Sequence, residues 1–254
     1  MIVPKLPSMR VDGRRALVTG GSSGIGFGSA SALAQAGAQV TLVARGEERL
    51  SEATDALRSE GLAVGSKCLD VTDLQAVARW LETESPFDVL VNCAGVARHA
   101  PALGASSADF DHVLSVNTRA AYFLTRGVAR SLVEAGRGGS LINISSQMGH
   151  VGGIDRSVYC ASKFAVEGFS KAMAIEWGRV GIRVNTICPT FIRTPMTEPT
   201  FQDPERIAWL RERIKLGRAG TIEDVMGAVV FLASDASALI TGASLMLDGG
   251  WTAD

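Results

Sequence analysis

One short stretch decides the fold class. The run Arg15-Ala16-Leu17-Val18 leads directly into Thr19-Gly20-Gly21-Ser22-Ser23-Gly24-Ile25-Gly26, and a helical pattern follows at once. The glycines let the backbone turn tightly and approach a pyrophosphate closely, and the following helix offers unpaired N–H groups at its N-terminus. No Lys-Ser or Lys-Thr pair follows the glycines, which excludes a P-loop. A strand, a glycine-rich turn and a helix in this order indicate a dinucleotide site rather than a purely structural turn.

Short apolar runs alternate with helical patterns along the rest of the chain. Nearly continuous apolar runs, such as Val40–Ala44 and Val89–Asn92, are typical of parallel strands covered on both faces. The alternation predicts right-handed strand–helix–strand units in an α/β, Rossmann-type fold, a doubly wound parallel seven-stranded sheet with helices on both faces. The predicted strands are Arg15–Thr19, Gln39–Ala44, Ser66–Leu69, Asp88–Cys93, Ser140–Ser145, Arg183–Ile187 and Ser244–Leu247. The predicted helices span residues 24–36, 46–60, 73–84, 107–135, 157–179, 204–214 and 222–234, with a capping-box pattern at Thr72 and Gln75.

The composition fits one globular domain. The chain has 254 residues, of which 46% are hydrophobic and 20% charged, so a sizeable core is expected. We expect a loosely ordered leader at residues 1–10, followed by a single dinucleotide-binding and catalytic domain at residues 11–254. The formal net charge of −1 argues against nucleic-acid binding, which needs a basic face.

The sequence carries no signal for a membrane or a metal. No stretch approaches the roughly 20 apolar residues of a membrane span, and residues 1–10 lack the apolar core of a signal peptide. A cytoplasmic protein is therefore predicted. The four cysteines show no metal-site or redox-pair spacing and are expected to be free, buried thiols at Cys68, Cys93, Cys160 and Cys188.

A proline-rich segment follows the sixth predicted strand. Residues 189–204 contain four prolines and should lie at the ligand end of the sheet. Long loops there are usually functional, so we predict a substrate lid around residues 190–216; an ordinary crossover loop is the alternative.

A candidate catalytic pair opens the long fifth helix. Tyr159 and Lys163 are four residues apart, so their side chains share one helix face. A nearby ammonium favours the phenolate form of a tyrosine, and such a pair can deliver or take a proton at a carbonyl oxygen. Ser146 lies at the end of the preceding strand, where its hydroxyl can polarise a carbonyl. Ser145 is the competing candidate for this role. The other interpretation of its hydroxyl is a structural role at the strand end.

Taken together, these motifs resemble the short-chain dehydrogenase/reductase family over residues 11–254. The resemblance rests on the glycine motif at Thr19–Gly26, on Asn92-Cys93-Ala94-Gly95, on the set Asn117, Ser146, Tyr159 and Lys163, and on Asp248-Gly249-Gly250. It implies that Tyr159 is the acid/base, that Ser146 orients the substrate oxygen, and that Lys163 favours the tyrosinate and binds the nicotinamide ribose. It also implies that Asn117 lies at a helix irregularity and completes a proton relay, and that the protein is a homotetramer.

The resemblance also implies the wall of a cofactor site. Asp70 and Val71 correspond to an adenine contact, although Asp70 is also read as a polar residue flanking the next helix. Pro189-Thr190 departs from the usual Pro-Gly, and a threonine disfavours positive φ. The implied cofactor-binding residues are Gly20, Ser22, Ser23, Gly24, Ile25, Gly26, Arg45, Asp70, Val71, Asn92, Ala94, Gly95, Tyr159, Lys163, Pro189, Ile192 and Thr194.

The end of the second strand bears on the choice of cofactor. An acid there binds the adenosine ribose and selects NAD(H), but this chain has Ala44 followed by Arg45. A guanidinium binds phosphate well, so NADP(H) is favoured and NAD(H) remains possible. The alternative is that Arg45 pairs with Glu47 or Glu48. Ser22 and Ser23 add donors without a second positive charge.

Several side chains near the predicted centre are candidate substrate contacts. We predict substrate contacts at Gln147, Arg156 and Phe191. Arg156 suits either an anionic substrate or a local ion pair near Asp155. His99, His150 and Trp209 lie in the same loops. The substrate class stays open among sugars and polyols, 3-oxoacyl thioesters and cyclic ketones.

The predicted function is an NAD(P)(H)-dependent oxidoreductase that interconverts a secondary alcohol and a ketone. The alternative is a non-catalytic cofactor-binding sensor on the same fold, which has no need of the tyrosine, lysine and serine together. An epimerase or dehydratase with an added substrate domain is disfavoured by length. For the tetramer, the helix at 157–179 has apolar residues around its circumference. Residues 245–247 and Trp251 are candidates for a second interface.

Overall fold

Seven parallel strands form one sheet at the centre of the computed structural model, which describes residues 1–253. The strands follow the spatial order β3-β2-β1-β4-β5-β6-β7. The chain therefore adds strands on one side of β1 and then crosses to the other side at β4, which confirms the doubly wound prediction. The strands are β1 (Arg15–Thr19), β2 (Gln39–Ala44), β3 (Val64–Cys68), β4 (Val89–Asn92), β5 (Gly139–Ile144), β6 (Ile182–Pro189) and β7 (Ser244–Leu247).

Helices cover both faces of this sheet. They are α1 (Gly24–Gln35), α2 (Glu47–Ser59), α3 (Leu74–Thr83), α4 (Ser107–Leu114), α5 (Ala121–Glu134), α6 (Ser157–Trp177), α7 (Glu198–Phe201), α8 (Pro204–Arg213) and α9 (Ile222–Ala233). Side chains of successive residues in β1 enter different apolar clusters. Ala16 and Val18 pack with residues of α1, α2 and α9, whereas Leu17 packs with residues of α3, α5 and α6.

Two helix predictions are wrong in detail. The single helix predicted at 107–135 is divided by a π-helical turn at Ser115–Ala120. The predicted capping box at Thr72 and Gln75 does not form; Asp73 is the N-cap of α3 and accepts a hydrogen bond from the Ala76 amide. Thr72 instead donates to Asp70. A capping box does form at Thr221 and Asp224, at the start of α9.

Three other features qualify the predictions. Cys68 is exposed at the end of the edge strand β3, so not all four thiols are buried. Residues 1–10 are exposed and form no helix or strand. No helix within residues 1–253 combines the length and the apolar character that a membrane span requires.

Candidate active site

A cleft of about 650 Å³ opens at the carboxyl ends of β1, β2, β4, β5 and β6. It begins where the strand order reverses between β1 and β4, the place where doubly wound sheets bind ligands. The cleft brings together nearly all of the predicted cofactor residues. Its wall includes Gly20, Ser22, Ser23, Gly24, Ile25, Gly26, Arg45, Asp70, Val71, Ala94, Gly95, Tyr159, Lys163, Pro189, Ile192 and Thr194.

The glycine-rich turn provides a close approach to the backbone. Gly20 and Gly24 have φ of +65° and +55°, conformations that L side chains rarely adopt. A Cβ at Gly26 would overlap the carbonyl oxygen of Gly20, so helix α1 starts in direct contact with the turn. The open cradle of backbone at the N-terminus of α1 has the form and polarity that a pyrophosphate needs, and a nicotinamide dinucleotide therefore fits this site.

Arginines line the opposite, adenosine end of the cleft. Arg45 Nη1 lies 3.8 Å from Asp70 Oδ2, and both side chains are largely exposed. The arginine therefore pairs with Asp70 rather than with Glu47 or Glu48. Arg49, in the first turn of α2, lines the same end and supplies the second positive charge that sequence reasoning missed. Its spacing of four residues from Arg45, just after a strand end, was the available signal.

Asn92 is the one predicted cofactor residue that does not line the cleft. Its side chain is buried, accepts a hydrogen bond from Thr19 Oγ1 at 3.0 Å and donates to the Ala121 carbonyl at 3.0 Å. Thr19 Oγ1 also accepts hydrogen bonds from the amides of Cys93 and Ala94, each at 3.1 Å. Asn92 therefore supports the cleft wall from behind.

Ser146, Tyr159 and Lys163 lie at the wall of the same cleft. Lys163 Nζ donates to the carbonyl oxygen of Ile144 at 2.8 Å and lies 5.7 Å from the centroid of the Tyr159 ring. The hydrogen bond fixes the ammonium between the end of β5 and the tyrosine. The geometry is that of a phenol with an adjacent, fixed positive charge.

The two neighbouring serines face different surroundings. Ser146 Oγ accepts a hydrogen bond from the Met148 amide at 3.1 Å. Ser145 also borders the cleft, but its Oγ is buried and would lie 3.0 Å from a Cβ at Gly149, on the side of Glu167. This placement favours Ser146 over Ser145 as the substrate-facing hydroxyl.

Asn117 lies inside the π-helical turn that divides α4 from α5. Its Oδ1 accepts from the Val96 amide at 2.8 Å, and its Nδ2 donates to the Val96 carbonyl and to Ser162 Oγ. The predicted helix irregularity at this residue is present. Asn117 thus links the loop after β4 to α6, one residue from Lys163.

Thr190 takes an ordinary backbone conformation. Asp155 is the one non-glycine residue with positive φ among residues 1–253, so the usual glycine after Pro189 is not needed for its φ here. Thr190 lines the cleft, and its hydroxyl is buried without a hydrogen-bond partner.

Aromatic and basic side chains surround the substrate side of Tyr159. His99 packs edge-on against the Tyr159 ring, with 6.1 Å between centroids, and Arg156 Nη1 lies 2.7 Å from His99 Nε2. Phe191 stacks on Trp251 and meets Trp209 edge-on. Trp251 thus joins the predicted lid to the body of the protein, and Leu210 and Ile214 of the lid complete a small apolar cluster with Phe191 and Trp251.

His150 does not join this group. Its Nε2 lies 3.4 Å from Cys188 Sγ and 3.5 Å from Glu167 Oε2, in a separate cluster. One side-chain nitrogen, oxygen or sulfur atom of each of these three residues lies within 4.8 Å of the other two. Glu167 there accepts hydrogen bonds from Thr186, Ser244 and Cys188. Burial and the nearby carboxylate raise the pKa of the Cys188 thiol to about 12, so the thiol is a hydrogen-bond donor.

An enzyme that moves hydride with a nicotinamide cofactor needs a dinucleotide site and a proton donor beside it. The cleft provides the first, and a phenol with a fixed ammonium lies at its wall. The class that the fold and cleft define is a nicotinamide-dependent oxidoreductase acting on CH–OH groups and carbonyls.

Comparison with known proteins supports this class of oxidoreductase. A family model described as enoyl-(acyl carrier protein) reductase matches residues 20–252. The chain is 40% identical over 246 residues to gluconate 5-dehydrogenase of Gluconobacter oxydans (strain 621H), covering 95% of this chain and 96% of the relative. It is 40% identical over 245 residues to L-xylulose reductase of Bos taurus, covering 96% of this chain and 99% of the relative.

A solved structure shows the same architecture. The gluconate 5-dehydrogenase from Burkholderia cenocepacia J2315, in complex with NADP and tartrate, superposes with a TM-score of 0.94 at 34% identity, covering 98% of this chain and 99% of that one. The chain belongs to the short-chain dehydrogenase/reductase family.

Proposed function

We propose that the protein interconverts a sugar or polyol secondary alcohol and its ketone with NADP(H), using Ser146, Tyr159 and Lys163 at the reacting centre. The observation that carries the proposal is the arrangement of these three side chains at the wall of one dinucleotide-sized cleft. The sensor alternative is not supported, because a sensor has no use for a phenol held beside a fixed ammonium. The arginines at the adenosine end support the preference for NADP(H).

Each side chain has a distinct task in this chemistry. When bound, the nicotinamide cofactor donates the hydride to the carbonyl carbon or accepts it from the alcohol carbon. Tyr159 gives a proton to the carbonyl oxygen in reduction and removes it from the hydroxyl in oxidation. The Ser146 hydroxyl donates a hydrogen bond to that oxygen and polarises it. Lys163 stabilises the phenolate, and Asn117 supports the loop and helix that carry it.

The polar surroundings favour a sugar or polyol over an acyl chain or a cyclic ketone. The amide of Gln147 is buried with neither its nitrogen nor its oxygen hydrogen-bonded, and His99 and Arg156 lie next to Tyr159. Hydroxyl groups can hydrogen-bond to the polar atoms of His99 and Arg156 beside Tyr159, whereas an acyl chain would desolvate these side chains without offering a hydrogen bond. The names of the relatives, a gluconate dehydrogenase and a xylulose reductase, support the same class.

The test is a steady-state activity screen with NADP(H) and NAD(H) against polyols, sugars, 3-oxoacyl thioesters and cyclic ketones. We expect turnover with polyols or ketoses and with NADP(H). Tyr159→Phe should lower kcat at least about 100-fold, the usual contribution of acid–base catalysis, and leave cofactor Kd nearly unchanged. A variant that keeps a tenth of the wild-type kcat would refute the role of Tyr159.

The neighbouring serine is a matched control for the same experiment. Ser146→Ala should lower kcat strongly because the substrate oxygen loses a hydrogen bond. Ser145→Ala should have a much smaller effect, since that hydroxyl lies on the side of Glu167. The reverse order would assign the role to Ser145.

We also propose that the protein is a cytoplasmic homotetramer and that residues 190–216 act as its substrate lid. Large apolar side chains are exposed on adjoining helices, which supports self-association. They are Phe110 of α4, Tyr122 and Phe123 of α5, and Phe164 and Ile175 of α6. The ring of Trp251 packs inside the chain, so it offers less to a second interface than its sequence position indicates.

A further inference from the structure

A guanidinium without an acidic partner lies beside the proposed proton donor. Arg156 is the N-cap of α6, three residues before Tyr159, and both side chains contact His99. Among residues 1–253, no carboxylate reaches Arg156 within ion-pair distance, and its side chain hydrogen-bonds only to His99. Burial lowers the pKa of Arg156, whereas the pKa of Arg218, paired with Asp224, is raised. Partly buried charges are normally paired, so this one lacks an anion.

The position of Arg156 is fixed by its neighbours. A Cβ at Gly153 would lie 2.9 Å from Arg156 Cδ, so the side chain lies directly over that glycine. Its guanidinium carbon lies 5.1 Å from the centroid of the Phe191 ring. Asp155, immediately before it, has φ of +59°, and its carbonyl accepts a hydrogen bond from the Ala100 amide. Strained residues held in this way are concentrated at ligand sites.

The charges around Arg156 leave an excess of positive potential. Burial, with the charges of Arg156 and Arg206, lowers the pKa of His99 to about 4. His99 is therefore uncharged at neutral pH, and its Nε2 accepts one N–H of Arg156 while the others stay available. Arg206 of α8 also lowers the pKa of Arg156, and the charge of Asp155 opposes this from beyond ion-pair distance.

A buried amide lies next to the proposed oxygen-binding serine. Gln147 directly follows Ser146 and is 1% exposed, and both polar atoms of its side chain lack a hydrogen-bond partner. A group of this kind needs a partner that both donates and accepts hydrogen bonds, which a hydroxyl group does.

We propose that Arg156 binds the carboxylate of a sugar-acid substrate, so that the enzyme prefers aldonates and their keto acids to neutral polyols. The carboxylate takes no part in bond breaking; it positions the reacting carbon beside Tyr159 and Ser146. The inference rests on the proposed function, because it names the substrate class of the same site. A carboxylate suits the planar N–H edge that His99 leaves free.

The test compares aldonates of five and six carbons with the neutral alditols of the same chain length, in the NADP-dependent oxidation assay. Wild type should show a kcat/KM at least about tenfold higher for the aldonate. Arg156→Met should lower that value about 10- to 100-fold, the size of one charge-assisted interaction, mainly through KM. The same variant should change kcat/KM for the alditol less than about threefold. Arg156→Lys should restore part of the aldonate activity.

A nearby arginine serves as the control. Arg98 is exposed and faces Asp109, so Arg98→Met should leave both substrates unchanged. Sugar phosphates form a third arm, and a preference for them over aldonates would overturn the carboxylate assignment. Equal losses for aldonate and alditol in Arg156→Met would overturn it too. Absence of turnover with every alcohol would instead refute the proposed function, and turnover of alditols alone would refute only the sugar-acid inference.

Discussion

At the scale of single residues, the side chains at the end of β2 favour NADP(H) over NAD(H). Ala44 brings no carboxylate to the adenosine ribose, and Arg45 and Arg49 both border that end of the cleft. The Arg45–Asp70 pair is long and exposed, and surface pairs of this kind contribute little. Arg45 is thus free to turn toward a 2′-phosphate.

Substitutions at these positions should change the cofactor preference in opposite ways. Ala44→Asp should move kcat/KM toward NAD(H), because the new carboxylate binds the ribose and repels the 2′-phosphate. Arg45→Ala should raise KM for NADP several-fold more than KM for NAD, and Arg49→Ala should add to the effect. Steady-state kinetics with both cofactors measures this. A wild-type kcat/KM clearly higher for NAD would contradict the assignment.

The same scale shows what residue patterns reveal and what they do not. The glycine turn and the Tyr159–Lys163 spacing were readable, because both depend on local geometry. Asn92 was predicted, with Ala94 and Gly95, as part of a backbone platform beside the adenosine ribose, and the side chain of Asn92 turns into the core, which the sequence of a buried strand does not show. Arg49 was missed because its role depends on where α2 begins. The sequence could not show that Arg156 lacks an acidic partner, because its neighbours are distant from it in the chain.

At the scale of elements, α6 serves two sites with one face. Lys163 reaches the cleft, and one turn later Glu167 enters the buried cluster with Thr186 of β6 and Ser244 of β7. Burial opposes ionisation of Glu167, but hydrogen bonds from Ser244, Cys188 and Thr186 outweigh it and lower the pKa of the carboxyl. The charged carboxylate thus connects α6 to the end of the sheet.

Glu167→Gln should therefore destabilise the fold. It keeps the shape of the side chain but weakens hydrogen bonds to a charged acceptor, a loss of about 2 kcal/mol. For a chain of this size that corresponds to a fall in Tm of about 4–8 °C. Because the folded pKa is lowered, the stabilisation is present above the ordinary glutamate pKa of about 4.3 and is lost as pH falls through the folded value.

Thermal unfolding measured from pH 7 downward checks both points. The difference in Tm between wild type and Glu167→Gln should be largest near neutrality and should shrink in acid below pH of about 4. Glu176→Gln, at an exposed position of the same helix, is the control and should change Tm little. A Tm difference that stays constant over the whole pH range would contradict the role of the charge.

Strands and long helices were predicted from the sequence more accurately than the π-helical turn and the short helix between them. All seven strands were found: the buried ones are continuous apolar runs with few alternatives, whereas the exposed edge strand β3 was predicted with shifted bounds, at Ser66–Leu69 instead of Val64–Cys68. The π-helical turn was implied only by the family resemblance at Asn117, since Asn117 bonds to Val96, 21 residues away, and no local pattern reports such a contact. Short helix α7 was missed within a proline-rich segment that reads as irregular.

At the scale of the whole molecule, the exposed apolar side chains of α4, α5 and α6 support the proposed tetramer. The ring of Tyr122 already packs edge to face with those of Phe123 and Phe169 within one chain, and Phe164 of α6 is also exposed. A face of this kind is costly to leave in water, and a second copy can cover it symmetrically.

Light scattering at micromolar concentration should give a mass about four times the 26.7 kDa of one chain. Phe164→Asp should lower the mass, because it places a charge in the apolar contact. Leu103→Asp, on an exposed turn outside these helices, should leave the mass unchanged. A wild-type mass of a single chain would exclude the tetramer.

The packing of Trp251 against Phe191 and Trp209 has a consequence for how the chain matures. The amide of Leu216 also donates to the carbonyl of Gly249, so the segment after β7 supports the residues of the proposed lid. During translation the glycine turn, β4 and the Tyr159–Lys163 helix leave the ribosome well before residues 249–251. The lid can therefore take its final packing only after residues 249–251 have been synthesised, although the residues of the glycine turn and of the catalytic helix precede them in the chain.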